Sequence, residues 1–330
     1  MKYLDYSTVT GAANLLLMKE PFRVLIAIIT FKRPRGLKHL LKTLQSQEVS
    51  DAIQVEILVV DNDCTGETPK IIAELASTAS FKLNLVEEPE NGIVSARNKA
   101  VDFFLQTSFQ ALVFIDDDEW PSNTTWLQTL VNTQIQTQAD IVTSLVHVIA
   151  KDSSKKWVEK VLDYGSHIKK NVGPTNRFYT NNLLLMRRVL EVINPAFDIR
   201  FAFTGSSDLH FCIKCRQAGF KAVFTPDAPV QEYYPISRSS LRWFFLRGYR
   251  AGEGATRATL YEGTFPFAYF YCLAMSGVRF VRGIFNIVIG LTTVDKAIIA
   301  RSFLQVGSAL GTLGGLFGMS YQEYKTIHGS

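Results

Sequence analysis

Val113-Phe114-Ile115-Asp116-Asp117-Asp118-Glu119-Trp120-Pro121 runs an apolar strand into four consecutive acids and then stops it with proline. Carboxylates this close at a strand end repel one another unless solvent or a cation screens them, and hard ions such as Mg2+ or Mn2+ take oxygen ligands. An Asp-x-Asp spacing on such a ledge suits a divalent metal that holds a diphosphate. An acidic turn at the rim of a sheet accounts for the same residues without a ligand. The segments upstream show what kind of sheet the ledge terminates.

Val24 to Ile29 is a continuous apolar run rich in branched residues, the pattern of a strand covered on both faces and so of a parallel sheet. Beyond Thr30-Phe31-Lys32-Arg33-Pro34, Leu37, Leu40, Leu41 and Leu44 fall at helical spacing. Val55-Glu56-Ile57-Leu58-Val59-Val60 then gives a second buried strand, which ends at Asp61-Asn62-Asp63 and completes a β-α-β unit. Thr65-Gly66-Glu67-Thr68-Pro69 supplies a turn and the start of another helix. A third strand, Lys82 to Glu87, leads through Asn91-Gly92-Ile93 into a helix with Ala96, Ala100, Phe103 and Phe104 on one face. The fourth strand is Ala111 to Ile115. In open parallel sheets ligands bind beyond the carboxyl ends of the strands, and Thr30, Asp61, Asn91 and Asp116 all fall there.

In this order, from about Arg23 to Arg257, the residues resemble the inverting, family 2 glycosyltransferases of the GT-A fold, of the non-processive bacterial type. The resemblance is carried by the opening strand with Thr30, by Val59-Val60-Asp61-Asn62, by Asn91-Gly92-Ile93-Val94-Ser95-Ala96-Arg97-Asn98, by Phe114-Ile115-Asp116-Asp117-Asp118 and by Thr204-Gly205-Ser206-Ser207-Asp208-Leu209. It implies an α/β fold, a Rossmann-like and mostly parallel sheet flanked by helices. Its nucleotide-sugar half is expected at about residues 20–120 and its acceptor half at 121–235 of a catalytic domain covering 1–235.

The resemblance also implies roles. Thr30, Asp61, Asn91, Arg97 and Asp116 are expected to bind the nucleotide, with Asp61 accepting from the base, Arg97 beneath the nucleotide and Asp116 near the ribose. Asp118, with Asp116, is expected to hold Mg2+ or Mn2+ on the diphosphate, and Asn98 to support neighbouring loops. Glu119, Asn181 and Asn182 are expected at the sugar and acceptor, although two buried amides more often satisfy nearby backbone groups. No role falls to Asp117. Asp208 is expected to be the base that takes the acceptor proton, in a motif whose usual first acid is here Ser207. Processive relatives carry Gln-x-x-Arg-Trp where this chain has Ser239-Ser240-Leu241-Arg242-Trp243, which implies transfer of a single sugar. Arg242 or Arg247 is expected either to clamp the diphosphate or to rest on anionic lipid.

The chain has 330 residues, 47% of them hydrophobic, enough for one large core with an appended subdomain. Its charge of +5 is uneven, with Arg238, Arg242, Arg247, Arg250, Arg257, Arg279 and Arg282 in one late stretch. Without Lys-rich runs, this favours phosphates or an anionic membrane surface over nucleic acid. Cys64, Cys212, Cys215 and Cys272 make no disulfide framework, so a reducing cytoplasmic setting is expected, and because the N-terminus lacks the basic start, apolar run and small-residue site of a signal peptide, secretion is not expected. Isolated His147, His167 and His210 have no partner spacing for metal or nucleophile work.

Residues 236–330 are expected to form a basic and apolar helical appendage. From Phe265 to Leu291 the chain is apolar except for Arg279 and Arg282, which at the centre of a span would cost about 5 to 7 kcal/mol. On a helix, Ser276, Arg279, Arg282, Gly283 and Asn286 share one arc and Phe280, Val281, Ile284, Phe285, Ile287 and Val288 the other, the pattern of a helix lying in the membrane interface. Gly307, Gly311 and Gly315 permit close helix packing within 302–319, which is either a short span or a helix against its neighbour.

The resemblance, taken with these features, implies a metal-dependent glycosyltransferase expected on the cytoplasmic face of a membrane, peripheral or monotopic, using a nucleotide-diphosphate sugar and a lipid-linked or saccharide acceptor. Two other readings stand beside it. A sugar-phosphate nucleotidyltransferase needs a Gly-rich loop after the first strand, which Thr30 to Gly36 does not supply. A non-catalytic membrane scaffold has no use for a buried acidic ledge that costs stability.

Overall fold

The computed structural model describes residues 20–162 and 171–319; His167 and the first residues of the chain lie outside them. β1 (Phe22–Thr30), α1 (Pro34–Gln45), β2 (Ile53–Asp61), α2 (Glu67–Ala76), β3 (Lys82–Glu87), α3 (Ile93–Leu105) and β4 (Ala111–Asp116) follow in strict alternation. A short β5 (Glu119–Pro121) precedes α4 (Trp126–Thr137), β6 (Ile141–Thr143), β7 (Val146–Ala150) and α5 (Trp157–Leu162). After the second described stretch begins come β8 (Gly173–Pro174), β9 (Leu183–Met186), α6 (Arg187–Val192), α7 (Ser207–Gln217), β10 (Ala222–Phe224) and β11 (Val230–Tyr234). Three long helices close the described residues: α8 (Leu241–Glu262), α9 (Phe267–Thr292) and α10 (Lys296–Leu316).

The main sheet has the order β3-β2-β1-β4-β9-β6-β10-β8. β1 pairs in parallel with β2 and β4, whereas β9 runs antiparallel to both β4 and β6. Alternation along each strand divides the core into two layers. Val24, Ile26, Ile28, Val113 and Ile115 meet the leucines of α1 and Trp126, Leu127 and Leu130 of α4. Leu25, Ala27, Leu112 and Phe114 face α3 and Phe211, Cys212 and Cys215 of α7 on the other side. At about 1.5 to 3 kcal/mol for each large apolar side chain removed from water, these layers carry the fold. Buried and free, Cys212 and Cys215 are core residues.

Pro121 does not simply stop the fourth strand, as the sequence suggested. The chain turns at Asp117-Asp118, and Glu119–Pro121 forms a strand of a second, smaller sheet ordered β5-β11-β7. Glu232 stands opposite Glu119, and Trp120 Nε1 donates to Gln231 Oε1 at 3.0 Å.

The last helices pack through glycine. A Cβ on Gly248 or Gly252 of α8 would strike the backbone of Leu304 or Ser308 on α10, and one on Gly307 or Gly311 would strike Phe245 or Tyr249 on α8. The polar arc of α9 faces α10: Ser276 donates to the Ala309 carbonyl at 2.8 Å, Arg279 to Thr312 at 3.1 Å and Asn286 to Gln305 at 3.1 Å. Arg282 departs from the expected arc, since it is exposed beside Val281, Ile284 and Phe285.

Candidate active site

Register brings the strand ends together. Thr30 pairs with Asp61 on one side of β1, and Ile29 with Asp116 on the other. With strands about 4.8 Å apart, the two aspartates lie about 10 Å from each other across β1, the scale of a nucleoside. Because β9 runs antiparallel to β4, its start lies at the same end of the sheet, which delivers Asn181 and Asn182 there.

Asp61 is 0% exposed. Its Oδ1 accepts from the backbone N–H groups of Asp63 and Cys64 at 3.2 and 3.3 Å, while the buried Oδ2 has no protein partner. Asn62 ties this strand end to the next loop: it donates to the carbonyls of Glu88 and Glu90 and accepts from Gly92 N at 3.0 Å. Gly92 has φ +136°, a conformation that side chains rarely adopt, and it leaves Asn91 exposed ahead of α3. One turn into that helix, Arg97 is buried, lies over the Phe197 ring at 5.6 Å and donates to Ser207 Oγ at 3.2 Å. Asn98 clasps the backbone of Phe197 with both ends of its amide, at 2.8 and 3.0 Å.

The four acids have separate environments. Asp117 is buried; Thr30 Oγ1 donates to its Oδ2 at 2.8 Å and Arg33 to its Oδ1 at 2.9 Å. Burial pushes this carboxyl up to about 7, with Arg33 opposing and Asp118 adding to the rise. Asp116 is pushed up to about 6, again chiefly by burial, with Arg97 opposing. Asp118 is partly open and accepts from Arg33 at 2.6 Å. Glu119 is buried well above its ordinary range by desolvation, Asp116 and Glu232; its Oε1 accepts from Asn181 at 2.9 Å and its Oε2 has no protein partner. Glu232 is pushed up to about 7 by burial and Asp118, against Arg238 and Arg247.

Asn181 and Asn182 separate here. Asn181, which holds Glu119, joins Glu232, Tyr179 and Arg247 in lining a cleft of about 280 Å³. Asn182, 1% exposed, is occupied by the scaffold: it accepts from Trp126 Nε1 and donates to the Leu145 and Ala228 carbonyls. The expectation that it reaches the sugar is therefore corrected to a clasp between β9 and the loops before β7 and β11. Arg247 stacks over Trp243 at 5.1 Å, whereas Arg242 is exposed and does not line the cleft. Asp208 stands in the first turn of α7, partly exposed, with its Oδ1 accepting from Leu209 N at 2.8 Å. Its field reaches Asp116. The turn before it places Gly205 and Ser206 at φ +75° and +68°.

Three residues escaped sequence reading. Arg33 was visible as a base directly after the first strand, in the loop facing the acids. Asp117 was passed over as the variable middle of Asp-x-Asp. Glu232 could not be found, because its opposition to Glu119 depends on the β5–β11 register.

The titration of Asp117 has a measurable consequence. With a folded value near 7 against an ordinary 3.8, the folded chain holds a proton there that the unfolded chain has lost, so this group's stabilising contribution, full below about 4, is lost as pH rises through 7. Asp117→Asn keeps the shape and removes the proton. In EDTA, urea melts between pH 5 and 7 are expected to show a stability slope shallower than wild type by up to about 1.4 kcal/mol per pH unit. Identical slopes would place the Asp117 titration outside this window.

The mostly parallel sheet, with acids at the carboxyl ends of its strands, has the GT-A fold. The chain belongs to glycosyl transferase family 2, whose model matches residues 25–193. It is 27% identical over 234 residues to the succinoglycan biosynthesis protein ExoM of Rhizobium meliloti, covering 71% of this chain and 74% of that protein. Among solved structures, the mannosyltransferase PcManGT of Pyrobaculum calidifontis, in complex with GDP-Man and Mn2+, superposes with TM-score 0.63 at 18% identity over 93% of each chain. TarS 1-349 of S. aureus, in complex with UDP-GlcNAc, does so with TM-score 0.52 at 12% identity over 91% of this chain and 93% of that one. The protein is a glycosyltransferase, and the nucleotidyltransferase and scaffold readings fall away.

Proposed function

We propose that this enzyme transfers one sugar, with inversion, from a nucleotide-diphosphate sugar to an acceptor hydroxyl during cell-surface polysaccharide or glycolipid assembly. The observation that carries the reading is the unpartnered Oδ2 of buried Asp61 at one strand end with Asp116 and Asp118 across β1. A base N–H would satisfy that oxygen. Relatives support the rest: ExoM is named for succinoglycan biosynthesis, and PcManGT holds GDP-Man with Mn2+.

The donor set fits a hard divalent ion. Asp116 and Asp118 offer carboxylate oxygens, and among the described residues no group of three or more acids, histidines or cysteines could hold a metal by itself. One or two carboxylates with the rest of the shell left to phosphate and water is the Mg2+-like arrangement. Bound there, the metal would neutralise charge on the departing diphosphate. Asp61 and Arg97 position the nucleotide, Glu119 and Asn181 face the sugar, and Asp208 takes the acceptor proton as its oxygen attacks the anomeric carbon.

Calorimetry with UDP, GDP and the corresponding triphosphates, in Mn2+ and then in EDTA, tests this. Diphosphate binding is expected to need metal and to weaken by about tenfold or more in Asp118→Ala. Equal binding in EDTA would remove the metal from the reading.

The apolar arc of α9 is the site proposed for membrane contact. Phe270, Val281, Phe285 and Val288 are exposed there while the opposite arc is engaged by α10, and Arg282 on the exposed side offers charge to anionic headgroups.

A further inference from the structure

We propose that Arg33 is a built-in counter-ion that competes with the divalent cation for the charge of Asp118, so that the Arg33–Asp118 contact weakens metal loading. The inference rests on the reading of Asp118 as a metal ligand. One guanidinium nitrogen, Nη1, donates to Asp117 Oδ1 at 2.9 Å and to Asp118 Oδ2 at 2.6 Å. The two halves of this bridge differ. Asp117 is buried and also held by Thr30, so it anchors the arginine. The Asp118 side chain is 33% exposed and Arg33 24%, so this half of the bridge faces solvent, where an incoming ion arrives.

Charge and geometry make the contact competitive rather than additive. Asp118 Oδ2 is taken by the guanidinium at 2.6 Å, so a metal about 2.1 Å from the same carboxylate, on Oδ1 or in place of Arg33 on Oδ2, stands beside a cation that repels it. The backbone cannot retreat to relieve this. A Cβ on Gly36 would lie 2.5 Å from the Asp117 carbonyl, so the first turn of α1 is already against the ledge. Pro34 further fixes the chain next to Arg33. Arg33 thus offsets repulsion within the ledge, and a divalent cation at Asp118 would compete with it for the same negative charge.

The test is Mn2+ binding, followed by electron paramagnetic resonance, to wild type, Arg33→Gln and Arg33→Lys, each with Mn2+ alone and with UDP or GDP added. Arg33→Gln is expected to bind Mn2+ alone about tenfold more tightly than wild type, with Arg33→Lys between them. Unchanged or weaker binding in Arg33→Gln, beside normal uptake by wild type, would overturn the competition and leave Arg33 as a positioning residue. Wild type that takes up no Mn2+ with either nucleotide would overturn the metal reading, and this proposal with it. Should Arg33→Gln fail to fold, the Arg33 guanidinium 15N resonance of wild type, titrated with Mg2+ and UDP or GDP, reads the same bond. It is expected to shift, and a resonance that stays in place as nucleotide and metal saturate would overturn the proposal.

Discussion

Asp208→Asn is expected to lower kcat by about 10²- to 10⁴-fold while leaving metal-dependent nucleotide binding unchanged. An amide can accept the bond from Leu209 N as the carboxylate does, so the first turn of α7 keeps its shape. It cannot take a proton from the acceptor. The Asp208 carboxylate bonds to Leu209 N and to neither Asp61 nor Arg97, the groups proposed to hold the nucleotide, although Ser207 beside it accepts from Arg97. Single-turnover rates beside calorimetric affinity separate the two effects. If Asp208→Asn kept wild-type turnover, the base assignment would be wrong. Glu232 would then be the next candidate, because it lines the cleft with Asn181 and burial brings it to about 7, near working pH. Glu232→Gln losing turnover while Asp208→Asn kept it would transfer the role.

The split between what sequence revealed and what it concealed follows interaction range. β1 to β4 were legible because each is a local apolar run ended by a local polar stop, and their carboxyl ends were then predictable from the parallel rule. Asp61 and Asp116 were found in this way. The small sheet was not, since Glu119–Pro121 is three residues long and acquires its partner only when β11 arrives over a hundred positions later. Glu232 was lost with it. Asn182 was misplaced for a related reason: a buried amide looks the same in sequence whether it faces a ligand or is consumed by Trp126 and two carbonyls. The helix α10 was readable in part. Its glycines announced close packing, but only the structure supplies the partner, α8, whose own Gly248 and Gly252 complete the contact.

Replacing both Val281 and Phe285 of α9 with serine is expected to release the protein from anionic vesicles, lowering its partition by about 10²- to 10⁴-fold. These side chains are 69% and 64% exposed, so the fold gives up little buried area when they are removed. Lipid contact, by contrast, would lose about 1.5 to 3 kcal/mol for each. Since Asn286 and Ser276 hold α9 to α10 from the opposite arc, the helix stays docked in the double variant. Cosedimentation with vesicles of graded anionic content measures the partition, and thermal melting confirms that the variant is folded. Arg282→Gln should weaken binding only to the anionic vesicles and lose its effect in high salt, because its contribution is electrostatic. A folded double variant that sediments like wild type would show that this face does not meet lipid, and the apolar arc would then need a protein partner to cover it.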